Sequence, residues 1–100
     1  MDIALVGGLD RLHKEYASVA RKCGVRLRMF TGKEAFLKRK LGHPDAAILM
    51  TDMVSHNARD IVLQSSRSMD IPVMFLRSSG ISALSRSLKK MGAAGVPSPE

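Results

Sequence analysis

The chain has 100 residues, 45% hydrophobic and 25% charged, with a formal net charge of +7. That length and composition suit one globular domain with a modest core and exclude wholesale disorder. No apolar run approaches the ~20 residues a bilayer crossing needs, and a single cysteine, Cys23, excludes an intrachain disulfide or a cysteine-based metal site.

The first residues, MDIALVGG, carry no basic flank, and their apolar run is too short for a signal peptide, so they read as a buried strand. The expected location is cytoplasmic, without a membrane partner. The positive charge favours anionic partners: nucleic acid, a phosphorylated small molecule or an acidic protein. It is spread along the chain, with denser groups at Arg26/Arg28, Lys33, Lys38-Arg39-Lys40 and Arg86/Lys89/Lys90. The four aromatic residues are not interleaved with these groups, which speaks against stacking on single-stranded nucleic acid.

The pattern alternates strand and helix four times. Strand one is Ile3–Val6, closed by Gly7-Gly8. Helix one runs over Leu9–Cys23, with Leu12, Tyr16, Val19, Ala20 and Cys23 at helix-face spacing, and stops at Gly24. Cys23 then reads as a buried small apolar residue. Strand two, Val25–Phe30, alternates Val25, Leu27 and Met29 with Arg26 and Arg28, which suits an edge. Helix two spans Lys33–Leu41, opened by Thr31-Gly32 and ended by Gly42-His43-Pro44. Strand three, Ala46–Met50, is apolar throughout and predicts a central strand covered on both faces. Helix three spans Ser55–Ser68, turning Ala58, Ile61, Val62, Ser65 and Met69 inward. Strand four is Val73–Leu76, after Pro72. Helix four spans Ser82–Met91, with Leu84, Leu88 and Met91 in the core. One domain over residues 1–92 and a flexible tail over 93–100 are expected.

Alternating strands and helices imply a parallel sheet with right-handed crossovers. Strand order 2-1-3-4 puts strands one and three in the centre, which matches their apolar character, with helices on both faces: a three-layer, Rossmann-like or flavodoxin-like α/β fold. The switch point then lies between strands one and three, at their C-terminal ends, where such sheets bind ligands. The chain's polar clusters converge there: Gly7, Gly8 and Arg11 from the first loop, Thr51, Asp52, Ser55, His56 and Asn57 from the third, and Arg77, Ser78, Ser79, Gly80 and Ser82 from the last.

Each group has a functional and a structural explanation. Gly7-Gly8 before a helix allows an anion close to backbone N–H groups, with Arg11 as a charged clamp. It matches neither a dinucleotide fingerprint nor a P-loop, and a tight turn alone asks for the same residues. The Arg77–Ser82 loop offers hydroxyls, a glycine and a helix N-terminus to a phosphate or carboxylate; N-capping by Ser79 or Ser82 uses the same residue types. His56, with Asp52 four residues earlier, is a candidate general acid or base, metal or haem ligand, or hydrogen-bond donor. The alternative is that Asp52 caps helix three and His56 packs locally. A Ser/His/Asp triad rests on composition alone. His13 and His43 are expected at the surface. The seven methionines, among them Met29, Met50, Met53, Met69 and Met74, read mostly as core filling.

Other α/β families fit less well. A response-regulator receiver needs acidic residues after strand one and a lysine after its last central strand, and this chain is a strand short. A cysteine-type phosphotransferase needs its cysteine in the first loop. Three motifs in order, ALVGG at Ala4–Gly8, TDMVSHN at Thr51–Asn57 and IPVMFLRSSGISAL at Ile71–Leu84, resemble a bacterial family of small uncharacterised domains, domain of unknown function (DUF) 2325. The resemblance covers about residues 2–91 and implies a Rossmann-like sheet with no established activity or cofactor. At Phe30-Thr31-Gly32 the chain departs from the family pattern, in which a histidine often stands near Phe30.

The expected function is a small binding or regulatory domain, with enzymatic activity left open. It would hold an anionic, phosphate-bearing small molecule at the C-terminal sheet edge, with backbone N–H groups from Gly7, Gly8 and the last loop. The alternatives are a small enzyme using His56 and Asp52, nucleic-acid binding through the basic surface, and haem or metal binding through His56. A homodimer is expected, because a short sheet with exposed apolar elements gains from pairing.

Overall fold

Asp2–Gly7 form β1, whose residues from Ile3 onward are all buried, because a strand in a parallel sheet is covered by neighbours on both edges and helices on both faces. The computed structural model describes residues 1–94. Beside β1 lie β2 (Arg26–Phe30) and β3 (Ala46–Met50), and β4 (Val73–Leu76) pairs with β3. All pairings are parallel and the order is β2-β1-β3-β4, which matches the apolar character of strands one and three. The register sets Ala4 opposite both Arg28 and Ala47, and Leu49 opposite Phe75.

Among the described residues four helices, α1 (His13–Lys22), α2 (Leu37–Leu41), α3 (His56–Met69) and α4 (Ile81–Ala94), cover the two faces. Side chains alternate along each strand, so the sheet divides the core in two. Ile3, Leu5, Ile48 and Met50 meet Tyr16, Ala20, Leu84, Leu88 and Met91 of α1 and α4. Ala4, Val6, Ala47 and Leu49 meet Leu37, Leu41, Ala58 and Val62 of α2 and α3. The inward helix positions are those the periodicity predicts. Cys23 is half-buried against the first of these clusters, less enclosed than its sequence position suggests.

Helix ends depart from the sequence expectation in instructive ways. Helix one does not start at Leu9: Leu9 is extended and Asp10–Leu12 make a 3-10 turn before α1 begins at His13. It ends on Gly24 at φ +70°, with Val25 N–H donating to the Ala20 carbonyl and Gly24 N–H to that of Arg21, the paired bonds of a Schellman cap. At the end of α3 Asp70 takes the left-handed conformation that glycine usually supplies, and Ile71 N–H reaches the Ser66 carbonyl. The fourth helix starts at Ile81 and runs to Ala94, past the domain end expected at 92; residues 95–100, where a flexible tail is expected, lie outside the described residues.

Helix two is the largest correction. Only Leu37–Leu41 are α-helical, not Lys33–Leu41. Glu34 turns back onto the end of β2, and Phe36 takes a left-handed conformation that interrupts helix propagation. The short α2 is held from outside. Arg28, read from sequence as one of the charges of an edge strand, donates to the carbonyls of Lys40 (3.2 Å) and Leu41 (2.9 Å), while its Nε donates to Asp2 (3.0 Å). Because these bonds satisfy helix carbonyls that five residues cannot satisfy internally, Arg28→Ala should destabilise the fold by about 1–2 kcal/mol, as for loss of a charged hydrogen-bond donor. Urea unfolding will show this as a lower midpoint with unchanged slope.

Candidate functional site

Beyond the C-terminal ends of β1 and β3, where the strand order reverses, lies an open cleft of about 720 Å³. Gly8, Asp10 and Arg11 form one wall, Thr31 and Lys33 a second, and Met53 and Ser55 a third. Three loops that are far apart in sequence therefore meet where an open α/β sheet binds ligands. Arg11 and Lys33 are both exposed, and among the described residues neither has an acidic side chain within ion-pair distance. Met53, expected in the core, is 45% exposed at the cleft.

The glycines belong to the packing. A Cβ on Gly7 (φ +95°) would stand 2.8 Å from the Met53 carbonyl oxygen, and one on Gly8 (φ +89°) 2.8 Å from the Met50 sulfur. Backbone and core crowd both positions, so a side chain fails on space as well as on φ. Gly8 N–H donates to the Met53 carbonyl (3.2 Å) and Leu9 N–H to the Tyr16 hydroxyl (3.3 Å). These amides are already partnered, which removes them from the anion cradle expected of this loop.

Asp52 is likewise committed. One carboxylate oxygen accepts the Ser79 hydroxyl (2.6 Å), the other the Ser79 N–H (3.1 Å). The Ser79 carbonyl in turn accepts the hydroxyl of Tyr16, which is fully buried. The Thr51 hydroxyl donates to the Leu76 carbonyl (3.2 Å). The third and fourth loops are thus stitched together across the strand ends. Asp52 neither caps helix three nor orients His56; no hydrogen bond joins the two. The cap is Ser55, whose oxygen accepts Ala58 N–H (3.2 Å). Ser79 caps nothing, because its hydroxyl is directed to Asp52, and Ser78 accepts Gly80 N–H (3.1 Å).

The candidate residues therefore separate into three sets. Gly8, Arg11 and Ser55 line the cleft, and His56 and Asn57, both exposed, open α3 beside it. Thr51, Asp52 and Ser79 are bonded to one another's loops. Arg77, Ser78 and Gly80 lie beyond β4 outside the cleft's lining, while Ser82 faces a second groove of about 520 Å³ between α1 and α4. Among the described residues no three His, Cys, Asp or Glu side chains converge as a metal site would need. His13, expected at the surface, is half-buried with its Nε2 3.7 Å from Asp10.

Three contributors escaped sequence reasoning. Lys33 was visible only as one more surface cation. Tyr16 read as a core position, although a buried phenol normally finds a hydrogen-bond partner. Glu34 completes the pattern Thr31-x-x-Glu34, the spacing of a capping box. Its carboxylate accepts the N–H groups of Thr31 (2.7 Å) and Gly32 (2.8 Å) and holds the loop that carries Lys33.

Partial burial raises the Glu34 pKa, but hydrogen bonds from the backbone of Thr31, Glu34 and Gly32 and from the Thr31 side chain outweigh it, leaving the group below its ordinary value of 4.5. A depressed carboxyl stabilises the fold above the unfolded-state pKa, and that contribution disappears as pH falls through the lower folded-state value. Glu34→Gln should lower the melting temperature at neutral pH, and the gap from wild type should close below pH 4.5. Parallel melting curves at every pH would contradict this role.

Comparison with known proteins agrees with the architecture. The family described as "Uncharacterized protein conserved in bacteria (DUF2325)" matches residues 2–91. No curated protein matches the chain. Among solved structures it is similar to a de novo designed Rossmann 2x2 fold protein determined by solution NMR at the Northeast Structural Genomics Consortium. The TM-score is 0.62 at 20% identity, covering 95% of this chain and 90% of that one. That likeness concerns the fold. No helix among the described residues is long and apolar enough to cross a membrane.

Proposed function

The chain belongs to that bacterial family, and from the site's own geometry we propose that it is a small cytoplasmic binding or regulatory domain for an anionic, phosphate-bearing small molecule held in the switch-point cleft. The observation that carries this reading is the approach of two cations, Arg11 and Lys33, neither in an ion pair among the described residues, to one cleft from different loops, where they outnumber the single lining carboxylate, Asp10. Neither is held in a salt bridge among the described residues, so a phosphate placed between them gains charge-assisted hydrogen bonds without breaking an ion pair. The Ser55 hydroxyl hydrogen is left to donate, and the first amides of α3, at His56 and Asn57, have no intrahelical partner. His56 adds a directional donor at the rim. Catalysis by His56 is the weaker reading, since Asp52, its proposed orienting group, is bonded to Ser79 instead.

A second reading has one observation in its favour. Phe36 is 72% exposed, amid Lys33, Lys38, Arg39 and Lys40, with the Arg39 guanidinium 5.4 Å from its ring centre. An aromatic therefore does stand among the basic residues, contrary to the sequence expectation, and such a face suits single-stranded nucleic acid.

Calorimetric titration with pyrophosphate and with a short single-stranded oligonucleotide separates the two. The cleft reading predicts pyrophosphate binding weakened about tenfold in Arg11→Ala and again in Lys33→Ala, the equivalent of one charged hydrogen bond each. It also predicts that Phe36→Ala leaves this binding unchanged. Oligonucleotide binding that falls steeply with salt and is lost in Phe36→Ala, with no response to pyrophosphate, would replace it with the second reading.

A further inference from the structure

The two free edges of the sheet are built differently. At one edge, β2 carries Arg26 and Arg28, and Arg28 lies across to Asp2 and the end of α2. Charges on an edge strand are a standard protection against strand addition. At the other edge, β4 reads Val73-Met74-Phe75-Leu76, with no charged residue between Asp70 and Arg77. Phe75 is 41% exposed there.

Among the described residues nothing pairs with the outer side of β4, although Val73 itself is only 6% exposed. Ala47 N–H donates to the Pro72 carbonyl, and the register pairs Ala47 with Val73. In a parallel ladder this turns residues 72, 74 and 76 toward β3 and leaves the N–H and C=O groups of Val73 and Phe75 on the free side. Pro72 lacks its N–H on the paired side, so it does not blunt the free one. Ile71 marks the end of the open stretch, because its N–H and carbonyl are both bonded to Ser66.

We propose that β4 is the docking edge for a second copy of this chain, pairing antiparallel about a two-fold axis at Met74. In that register Val73 of each copy faces Phe75 of the other, and all four free backbone groups on each strand are satisfied. The ends of the strand supply charge complementarity. The same register carries Arg77 of one copy alongside Ile71 and Asp70 of the other, so cation meets anion at both ends. A parallel pairing would set like charges together instead. The contact is self-complementary and closes on itself, as a two-fold dimer must, and it joins two sheets into one. It does not depend on what the cleft binds, which opens between the opposite loops.

Sedimentation equilibrium tests this. Wild type should have twice the chain mass of 10.9 kDa. Phe75→Lys, at an exposed position, should fall to the single-chain mass with an unchanged far-UV circular dichroism spectrum. Met74→Cys in a Cys23→Ser background should form a disulfide-linked dimer on mild oxidation, since facing residues of a non-hydrogen-bonded antiparallel pair lie about 4.5 Å apart at Cα, within disulfide reach. A wild type of single-chain mass, a dimer that persists in Phe75→Lys, or a dimer without the Met74→Cys link would each overturn the proposal.

Discussion

One buried phenol ties the sheet edge together. Tyr16 accepts a hydrogen bond from Leu9 N–H and donates to the Ser79 carbonyl, while Ser79 binds both oxygens of Asp52. This relay links the loops after β1, β3 and β4 through a residue on α1. Each member satisfies a group that would otherwise lose its solvation on burial, so the loops are held as a unit. The glycines complete the constraint from below. Gly7 and Gly8 are pressed against the Met50–Val54 segment so closely that no Cβ fits. The cleft is therefore walled by a rigid assembly on the β3 side.

That rigidity explains how the polar residues divide. Toward β4, donors and acceptors are matched with one another, and Asp52 and Ser79 have little left to offer a ligand. Toward β2 the balance differs. Glu34 consumes the amides of Thr31 and Gly32 and so fixes the loop, but Arg11 and Lys33 are exposed and in no ion pair among the described residues. Arg28, by contrast, is spent on holding α2. The high net charge of the chain is thus not one property: part of it is structural, part borders the cleft, and part forms the exposed face around Phe36.

The sheet was legible because burial on both faces demands continuous apolar strands, as Ile3–Val6 and Ala46–Met50 are. Val73–Leu76 is equally apolar, so the central placement of strands one and three also drew on the half-polar second strand and the alternating strand–helix order. Helix interiors were legible from spacing, as Leu84, Leu88 and Met91 illustrate. Helix starts were not. Whether Glu34 continues a helix or turns back on Thr31, and whether Phe36 is helical or left-handed, are decided by a few hydrogen bonds between near-equal local alternatives. The location of the site was legible for the same reason as the strand order. Its internal assignments were not, because an aspartate four residues before a histidine fits equally with orienting that histidine or with bonding a serine brought in from a distant loop. The partner, Ser79, is 27 residues away in sequence.

The most direct test of the account is a residue-by-residue NMR titration of the amide resonances with pyrophosphate. The account predicts saturable shifts concentrated at Gly8–Arg11, Lys33 and Ser55–Asn57, with the Asp52 and Ser79 amides nearly still because their relay is already complete. Shifts confined to the Phe36–Lys40 face, or no shift at millimolar pyrophosphate, would contradict it.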